Sequence, residues 1–325
     1  MKEEILSVGI DIGTSTTQLI FSKIYIENRA SDFSVPQIKI IGKEVIYRSD
    51  IYITPLETET KIAAEKVREI IVNEYKKANV KYDDVSTGAV IITGETARKE
   101  NAKEVLDALS GMAGDFVVAT AGPDLESIIA GKGSGAYSYS EDKNTSIVNF
   151  DIGGGTTNIA IFNRGDIEDT TCLDIGGRLI KLDDSGNITY IFKKIYDIAE
   201  DVGVKIKIGD RANEDIMRKI SRRMGKLVFE SIGFFEKTEL YKKIVTYQDF
   251  KKNFKPEYYS FTGGVADFIY EDRNVKLFEY NDIGIILGQE MKKLVSEINL
   301  NIIKLGETIG ATVVGAGSHT TEISG

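Results

Sequence analysis

One phrase occurs twice in the chain, and it restricts what the chain can become more than any other feature. Val8-Gly9-Ile10-Asp11-Ile12-Gly13-Thr14-Ser15-Thr16-Thr17 returns as Asn149-Phe150-Asp151-Ile152-Gly153-Gly154-Gly155-Thr156-Thr157. In each copy an alternating apolar run (Val8, Ile10, Ile12; Val148, Phe150, Ile152) predicts a strand. A Gly/Thr turn follows, and then a second apolar run, Leu19-Ile20-Phe21 in one copy and Ile159-Ala160-Ile161-Phe162 in the other. Each copy therefore predicts a β-hairpin whose turn carries bare backbone N–H groups, several hydroxyls and one leading carboxylate. Glycine lets a backbone come close to a ligand, and successive N–H groups form a nest for anions. A carboxylate beside such a nest suits Mg²⁺, which takes hard oxygen ligands next to phosphates. One copy alone is an ordinary hairpin with a glycine turn. Two copies, each opening a plausible half of the chain, predict two hairpins that grip a nucleoside triphosphate between duplicated domains.

The length of 325 residues is ample for two cored domains. Hydrophobic residues make up 42% and charged residues 28%, the balance of a soluble globular protein. The net charge of −9 argues against a nucleic-acid partner, which usually meets a basic stripe. With one cysteine (Cys172) and one histidine (His319), the chain has no internal disulfide, no Cys/His zinc site and no four-cysteine cluster from one subunit. His319 stands near a Gly-rich end, a poor setting for a general base. The start Met1-Lys2-Glu3-Glu4 is charged and enters a strand at once, with no signal peptide and no membrane-spanning run, so the expected location is cytoplasmic.

Between and beyond the two copies, apolar patterning predicts strands at 34–41, 45–48, 51–55, 88–95 and 115–121, and helices at 59–78 and 96–109. Gly122-Pro123-Asp124 opens a further helix, with proline in its favoured first-turn place. That helix is expected to end in Gly131-Lys132-Gly133-Ser134-Gly135, read as a flexible hinge because its spacing fails the Walker pattern. Cys172 to Arg178 predicts a strand and a second glycine turn, Gly176-Gly177. The span 182–250 reads as mainly helical. Its strongest stripe is Ile216, Ile220, Met224, Leu227, Val228 and Ile232, with Arg218, Arg222 and Arg223 on a solvated face. Tyr258 to Thr262 is a strand running into Gly263-Gly264, and the small residues of Thr312 to Ser318 let two elements pack closely. Strands alternating with helices give an α/β architecture with functional loops at strand ends.

The ordered set resembles the actin-like ATPase superfamily of sugar kinases, DnaK-type chaperones, actin and cell-division homologues. Asp11–Thr17 is similar to its first phosphate motif, Ala121–Gly131 to its first connecting helix and Asp151–Thr157 to its second phosphate motif. Phe261–Ala266 resembles the adenosine motif and Gly310–Gly317 the second connecting helix. More narrowly, the chain resembles the ethanolamine ammonia-lyase reactivating factors. The wording Ile91-Ile92-Thr93-Gly94-Glu95, Gly114-Asp115-Phe116-Val117-Val118-Ala119, Ala121-Gly122-Pro123, Leu125-Glu126-Ser127, Gly176-Gly177-Arg178-Leu179 and Gly315-Ala316-Gly317, with the two phosphate phrases, carries that likeness.

The resemblance implies an actin-like (ribonuclease H-like) α/β fold of two duplicated domains around a nucleotide cleft. The expected bounds are 1–145 and 146–325, with a helical insertion at about 186–250 and 306–325 packing back on the first domain. It implies an ATP-dependent chaperone that releases damaged cobalamin from ethanolamine ammonia-lyase so that intact cofactor binds. ATP and Mg²⁺ are its cofactors, the lyase is its partner, and the expected setting is the cytoplasm in association with a bacterial microcompartment. A homodimer is allowed; no membrane contact is expected. Family members continue past the position of Gly325, which implies a shortened chain or a variant lacking the last segment. In the implied site Asp11 and Asp151 orient Mg²⁺, and the turn groups Gly13, Thr14, Ser15, Thr16, Gly153, Gly154, Gly155 and Thr156 cradle the phosphates. Gly263 and Gly264 let adenosine lie close, and Gly176 and Gly177 approach the same pocket. Each aspartate is also the residue type that caps a turn; their paired positions favour metal work. The DnaK-type pattern has a glutamate immediately before the proline of the first connecting helix, where this chain has Gly122. Asp124 or Glu126 is the substitute one turn away, and the ATPase is expected to be weak, below about 1 s⁻¹. Rival readings are a small-molecule kinase and an actin-like filament protein. The iron–sulfur activators of the superfamily are excluded, since a cluster shared between subunits needs two cysteines per chain.

Overall fold

The computed structural model describes residues 2–14, 16–28, 38–58, 60–109, 115–120, 122–246, 248–251 and 254–316. Ser15, residues 34–37, Gly114, Ala121, Gly317 and His319 fall outside that set. The chain divides into two compact units, one of residues up to Gly122 together with those from Gly310 onward, the other Pro123–Ile309.

The first unit runs β1 (Lys2–Ile12), β2 (Thr16–Asn28), β3 (Ile38–Arg48), β4 (Tyr52–Ile53), β5 (Leu56–Thr58), β6 (Lys61–Ile62), α1 (Ala64–Ala78), β7 (Thr87–Ile92), α2 (Ala102–Leu109) and β8 (Asp115–Thr120). Its main sheet has the order β3-β2-β1-β7-β8, with β4 also pairing β2. The first three strands are antiparallel, while β7 lies parallel to β1 and β8 parallel to β7. The alternation of β1 sends Val8, Ile10 and Ile12 into a core with Val67 and Ile71 of α1 and Val105 and Leu109 of α2. Val313 and Val314, from a helical stretch at 311–316, join Ile20 in a separate cluster. Close approach there needs Gly9, because a Cβ on it would overlap the Val313 carbonyl. The small residues after Gly310 thus pack against β1 of their own unit.

The second unit runs α3 (Pro123–Ser134), α4 (Ala136–Asp142), β9 (Ser146–Ile152), β10 (Thr157–Asn163), β11 (Asp166–Leu173), β12 (Ile180–Leu182), β13 (Ile188–Ile191), α5 (Lys193–Asp201), α6 (Glu214–Glu230), α7 (Glu239–Ile244), β14 (Tyr258–Thr262), α8 (Ala266–Tyr270) and α9 (Gly284–Glu297). Its main sheet is β11-β10-β9-β14, with β9, β10 and β11 antiparallel and β14 parallel to β9. A parallel bridge from Tyr259 to Ile302 marks where a fifth strand would lie. Each unit therefore contains an antiparallel meander whose first strand takes a parallel neighbour on its other side. One face of this second sheet buries Val148, Phe150 and Ile152 with Met224 and Leu227 of α6 and Leu287 and Leu294 of α9. Phe150 stacks on Phe261 at 5.2 Å and meets Phe229 edge-on at 6.0 Å. Such pairs are each worth about 0.5–1.5 kcal/mol beyond their burial.

Three expectations change. Gly131 to Ser134 is not a hinge but the last turn of α3, and only Gly135 leaves the helix, at φ 93°. The glycine at 131 serves packing, since a Cβ there would overlap the Phe162 ring. The span read as mainly helical opens with the β12–β13 hairpin before α5, α6 and α7. The arginines of α6 are not a solvated face. Arg223, 11% exposed, is bound by Asp201 at 2.6 Å and Glu230 at 2.5 Å, and Arg218 bonds Glu214 at 2.8 Å and the buried Glu290 of α9 at 3.1 Å. Glu214 and Glu230 stand on α6 itself, but Asp201 comes from α5 and Glu290 from α9, and helical periodicity alone, blind to those two, assigns that face to water.

Candidate functional site

In the first unit the β1–β2 register pairs Asp11 with Gln18 and Ile12 with Thr17, so the chain reverses over Gly13 to Thr16. Gly13 N donates to Thr16 O at 2.9 Å and closes the turn. The Gly13 carbonyl accepts from Thr54 Oγ1 at 2.8 Å and Thr96 Oγ1 at 3.1 Å. Thr17, the last threonine of the phrase, is buried and shares a hydroxyl contact with Thr54 at 3.1 Å. Parallel pairing brings the end of β7 beside Asp11, and there Thr93 Oγ1 donates to Asp11 Oδ1 at 2.9 Å. Gly94 follows at φ 60°, and a Cβ on it would overlap the Thr14 hydroxyl.

The second unit builds the same object. Asp151 pairs with Asn158 and Ile152 with Thr157, and Gly153 N donates to Thr156 O at 2.9 Å. The turn's carbonyls are again tied down, Gly153 O by Gly177 N at 3.0 Å and Gly154 O by Arg178 N at 2.7 Å. Gly176 must be glycine, because a Cβ would overlap the Gly154 carbonyl, and a Cβ on Gly177 would stand 2.9 Å from Gly284 Cα. Arg178 Nε donates to Asp282 Oδ2 at 3.1 Å; burial nevertheless holds the Asp282 carboxyl above its ordinary range, against the opposing pull of the Gly284 N–H and Arg178. Thr262, at the end of the parallel strand β14, donates to Asp151 Oδ1 at 2.7 Å. Gly263 follows at φ 84° with Ile152 too close for any Cβ, whereas Gly264 is exposed and open.

Asp151, Gly153 to Thr156, Gly176, Gly177, Gly263 and Gly264 thus come together within one unit, and Asp11, Gly13, Thr14 and Thr16 within the other. Glu126 is buried on the first turn of α3, the helix packed against β9, β10 and β11. Asp124 accepts a short hydrogen bond from Thr170 Oγ1. Among the described residues no hydrogen bond engages the N–H groups of Gly154, Gly155 and Thr156. Three such groups in sequence beside a carboxylate suit phosphate oxygens. Asn158 Oδ1, on the same face of the sheet as Asp151, is buried and has no hydrogen-bond partner among the described residues. An unmade buried acceptor beside a carboxylate fits a water bound to a divalent cation. The donor set and the glycine cradle therefore fit a magnesium-bound polyphosphate.

Sequence reasoning missed Thr93, Thr262, Gln18 and Asn158. A signal for them exists. Gln18 and Asn158 stand seven residues after Asp11 and Asp151, and both Ile92-Thr93-Gly94 and Phe261-Thr262-Gly263 end an apolar run with Thr-Gly.

Comparison with known proteins bears on the whole chain. Residues 3–325 match the family model described as ethanolamine utilisation protein EutA. A Salmonella typhimurium protein named ethanolamine ammonia-lyase reactivase EutA is 36% identical over 326 residues, covering 99% of this chain and 68% of its own length. Its Escherichia coli K12 namesake is 36% identical over 323 residues, with the same coverage of 99% and 68%. Among solved structures, an exopolyphosphatase-like protein superposes with a TM-score of 0.53 at 11% identity, covering 99% of this chain and 100% of that one. A Ppx/GppA family member from Aquifex aeolicus gives 0.51 at 16% identity, covering 99% and 98%. At such identities the likeness is one of fold, and the fold is that of the actin-like ATPases. Among the described residues no helix is long and apolar enough to cross a membrane.

Proposed function

The chain belongs to the family of ethanolamine utilisation protein EutA, and from that premise we propose that it is an ATP-dependent reactivating chaperone for adenosylcobalamin-dependent ethanolamine ammonia-lyase. It promotes release of damaged cobalamin so that intact cofactor binds, and it works in the cytoplasm alongside a bacterial microcompartment. The name of the two relatives supports the lyase as partner. The observation that carries the nucleotide part is the repeated turn: a Gly N–H closing on a Thr carbonyl at 2.9 Å, twice, each time behind an aspartate held by a threonine hydroxyl.

In this reading Asp11 and Asp151 would hold the hydrated Mg²⁺, and Asn158 Oδ1 would offer a further acceptor beside Asp151. The N–H groups of Gly154, Gly155 and Thr156, with the hydroxyls of Thr14, Ser15 and Thr16, hold phosphate oxygens. Gly153 and Gly13 keep the turns closed. Gly263 and Gly264 admit adenosine close to the backbone, and Gly176 and Gly177 brace the second turn from behind. The bound metal supplies charge neutralisation for the phosphates. Glu126, one turn along the helix from Gly122, orients the attacking water less well than a glutamate at Gly122 itself would. Turnover therefore falls below about 1 s⁻¹, and nucleotide acts mainly as a conformational switch.

Calorimetric titration of ATP with Mg²⁺ tests the nucleotide part. Tight binding in the wild type, lost in both Asp11→Ala and Asp151→Ala, is expected, and a reactivation assay on cobalamin-inactivated lyase then tests the partner. Absence of binding in the wild type refutes the nucleotide role, and tight binding without reactivation refutes the lyase as client.

A further inference from the structure

Each candidate metal carboxylate receives one hydroxyl from outside its own hairpin. Thr93 closes β7 and Thr262 closes β14, the strands that lie parallel to β1 and β9, and each donates to Oδ1 of the aspartate beside it, at 2.9 Å and 2.7 Å. Each is followed by a glycine in the left-handed region, Gly94 at φ 60° and Gly263 at φ 84°, pressed against the neighbouring hairpin turn. The glycine lets the chain leave the strand at once, so the threonine remains the last side chain of its strand and faces the carboxylate. Asp11 Oδ2 lies on the side of the Gly13 turn, 3.8 Å from where a glycine Cβ would stand.

In the second unit the direction of the hydroxyl proton is forced. Asn149 Nδ2 donates to Thr262 Oγ1 at 3.0 Å, and Ser260 Oγ lies 2.9 Å from Asn149 Oδ1 and 3.4 Å from the Val148 carbonyl. The Asp151 carboxylate only accepts, so the single hydroxyl proton of Thr262 goes to it, which leaves Oγ1 to accept from the Asn149 amide N–H. Asn149, Ser260 and Thr262 are all at most 1% exposed, so no water competes for these bonds. A fully satisfied buried polar chain of this kind specifies one arrangement of its members.

We propose that Thr93 and Thr262 are paired positioning residues for the nucleotide-bound metal: each, by its bond to Oδ1, fixes the orientation in which its aspartate meets the cation's waters, and Ser260 and Asn149 orient the second of them. The role rests on the nucleotide reading above and extends it to residues that never touch the ligand.

The test uses the full chain with Thr93→Val, Thr262→Val and the conservative Thr93→Ser and Thr262→Ser. ATP affinity is titrated in Mg²⁺ and in EDTA, with melting temperature followed alongside. Valine keeps the shape of threonine and removes the donor, and a hydrogen bond to a charged group is worth enough to expect a roughly tenfold or greater loss. Each valine variant is expected to lose that factor from the gain in affinity that Mg²⁺ confers, while its EDTA affinity changes less than about twofold. Serine, which restores the donor, recovers the Mg²⁺ gain. A purely structural role lowers melting temperature and both affinities together and is not rescued selectively, and that outcome overturns the proposal. An unchanged Mg²⁺ gain in both valine variants also overturns it while leaving the nucleotide reading intact. A wild type without Mg²⁺-dependent binding overturns both.

Discussion

Asn158 holds its amide oxygen buried, with no hydrogen-bond partner among the described residues, at the position across the hairpin from Asp151. A buried acceptor with no hydrogen bond costs about 1–3 kcal/mol. Asn158→Leu is close to isosteric and removes that cost, so the variant is expected to melt at the same temperature as the wild type or higher. The same change removes an acceptor for metal-bound water, so Mg²⁺-dependent ATP affinity is expected to fall roughly tenfold. Parallel thermal melts and ATP titrations check the two halves. Loss of stability without loss of affinity would mean that Asn158 serves only the fold. The turns themselves were legible in the sequence because Asp11 to Thr17 and Asp151 to Thr157 are local, each closing within a few residues. Thr93 and Thr262 were not, because their partners come from strands brought alongside by long crossovers. A single sequence states that a strand exists far more clearly than which strand is its neighbour.

At the scale of the element, α3 separates two physical readings of glycine. By intrinsic preference Gly131→Ala should stabilise a helix by roughly 0.8–1.0 kcal/mol. In this structure the Cβ would overlap the Phe162 ring on β10. Overpacking of that kind typically costs about 1–3 kcal/mol, so the variant is expected to be destabilised. Denaturant unfolding of the full chain measures the sign directly. Combining it with Phe162→Leu, which withdraws the ring, is expected to recover part of the loss, as residues in direct contact couple. A stabilised single variant would return the segment to the role of a hinge. The helix start at Pro123 was readable from the sequence because proline acts on its own backbone. The helix end was not, since Gly131 and Gly133 match a loop pattern until the ring of Phe162 is laid against Gly131. The arginines of α6 follow the same logic, for their carboxylate partners on α5 and α9 are invisible to helical periodicity.

At the scale of the whole molecule, what distinguishes a slow nucleotide switch from a fast hydrolase on this fold is the positioning of one water. Phosphoryl transfer of this type depends on positioning and charge stabilisation, so a missing orienter slows turnover and leaves binding in place. The residue before the first connecting helix is Gly122, exposed, with nothing within 4 Å of where its Cβ would stand and outside the left-handed region. A glutamate therefore fits there without strain. If the actin-like scheme operates in this chain, Gly122→Glu restores the orienter and raises ATP turnover at least about tenfold, a modest share of what a well-placed acid–base group contributes. Melting temperature and ATP affinity are expected to stay within error, because the position is exposed and a Cβ there meets no neighbouring atom. Phosphate release under saturating ATP measures the gain. The partner variant Glu126→Gln is expected to lower the residual turnover of the wild type and to matter less in the Gly122→Glu background, since two groups that orient one water are not additive. Should Gly122→Glu leave turnover unchanged while Glu126→Gln abolishes it, α3 already supplies the orienter, and the glycine before Pro123 marks a relocation of the group along the helix and no loss of it.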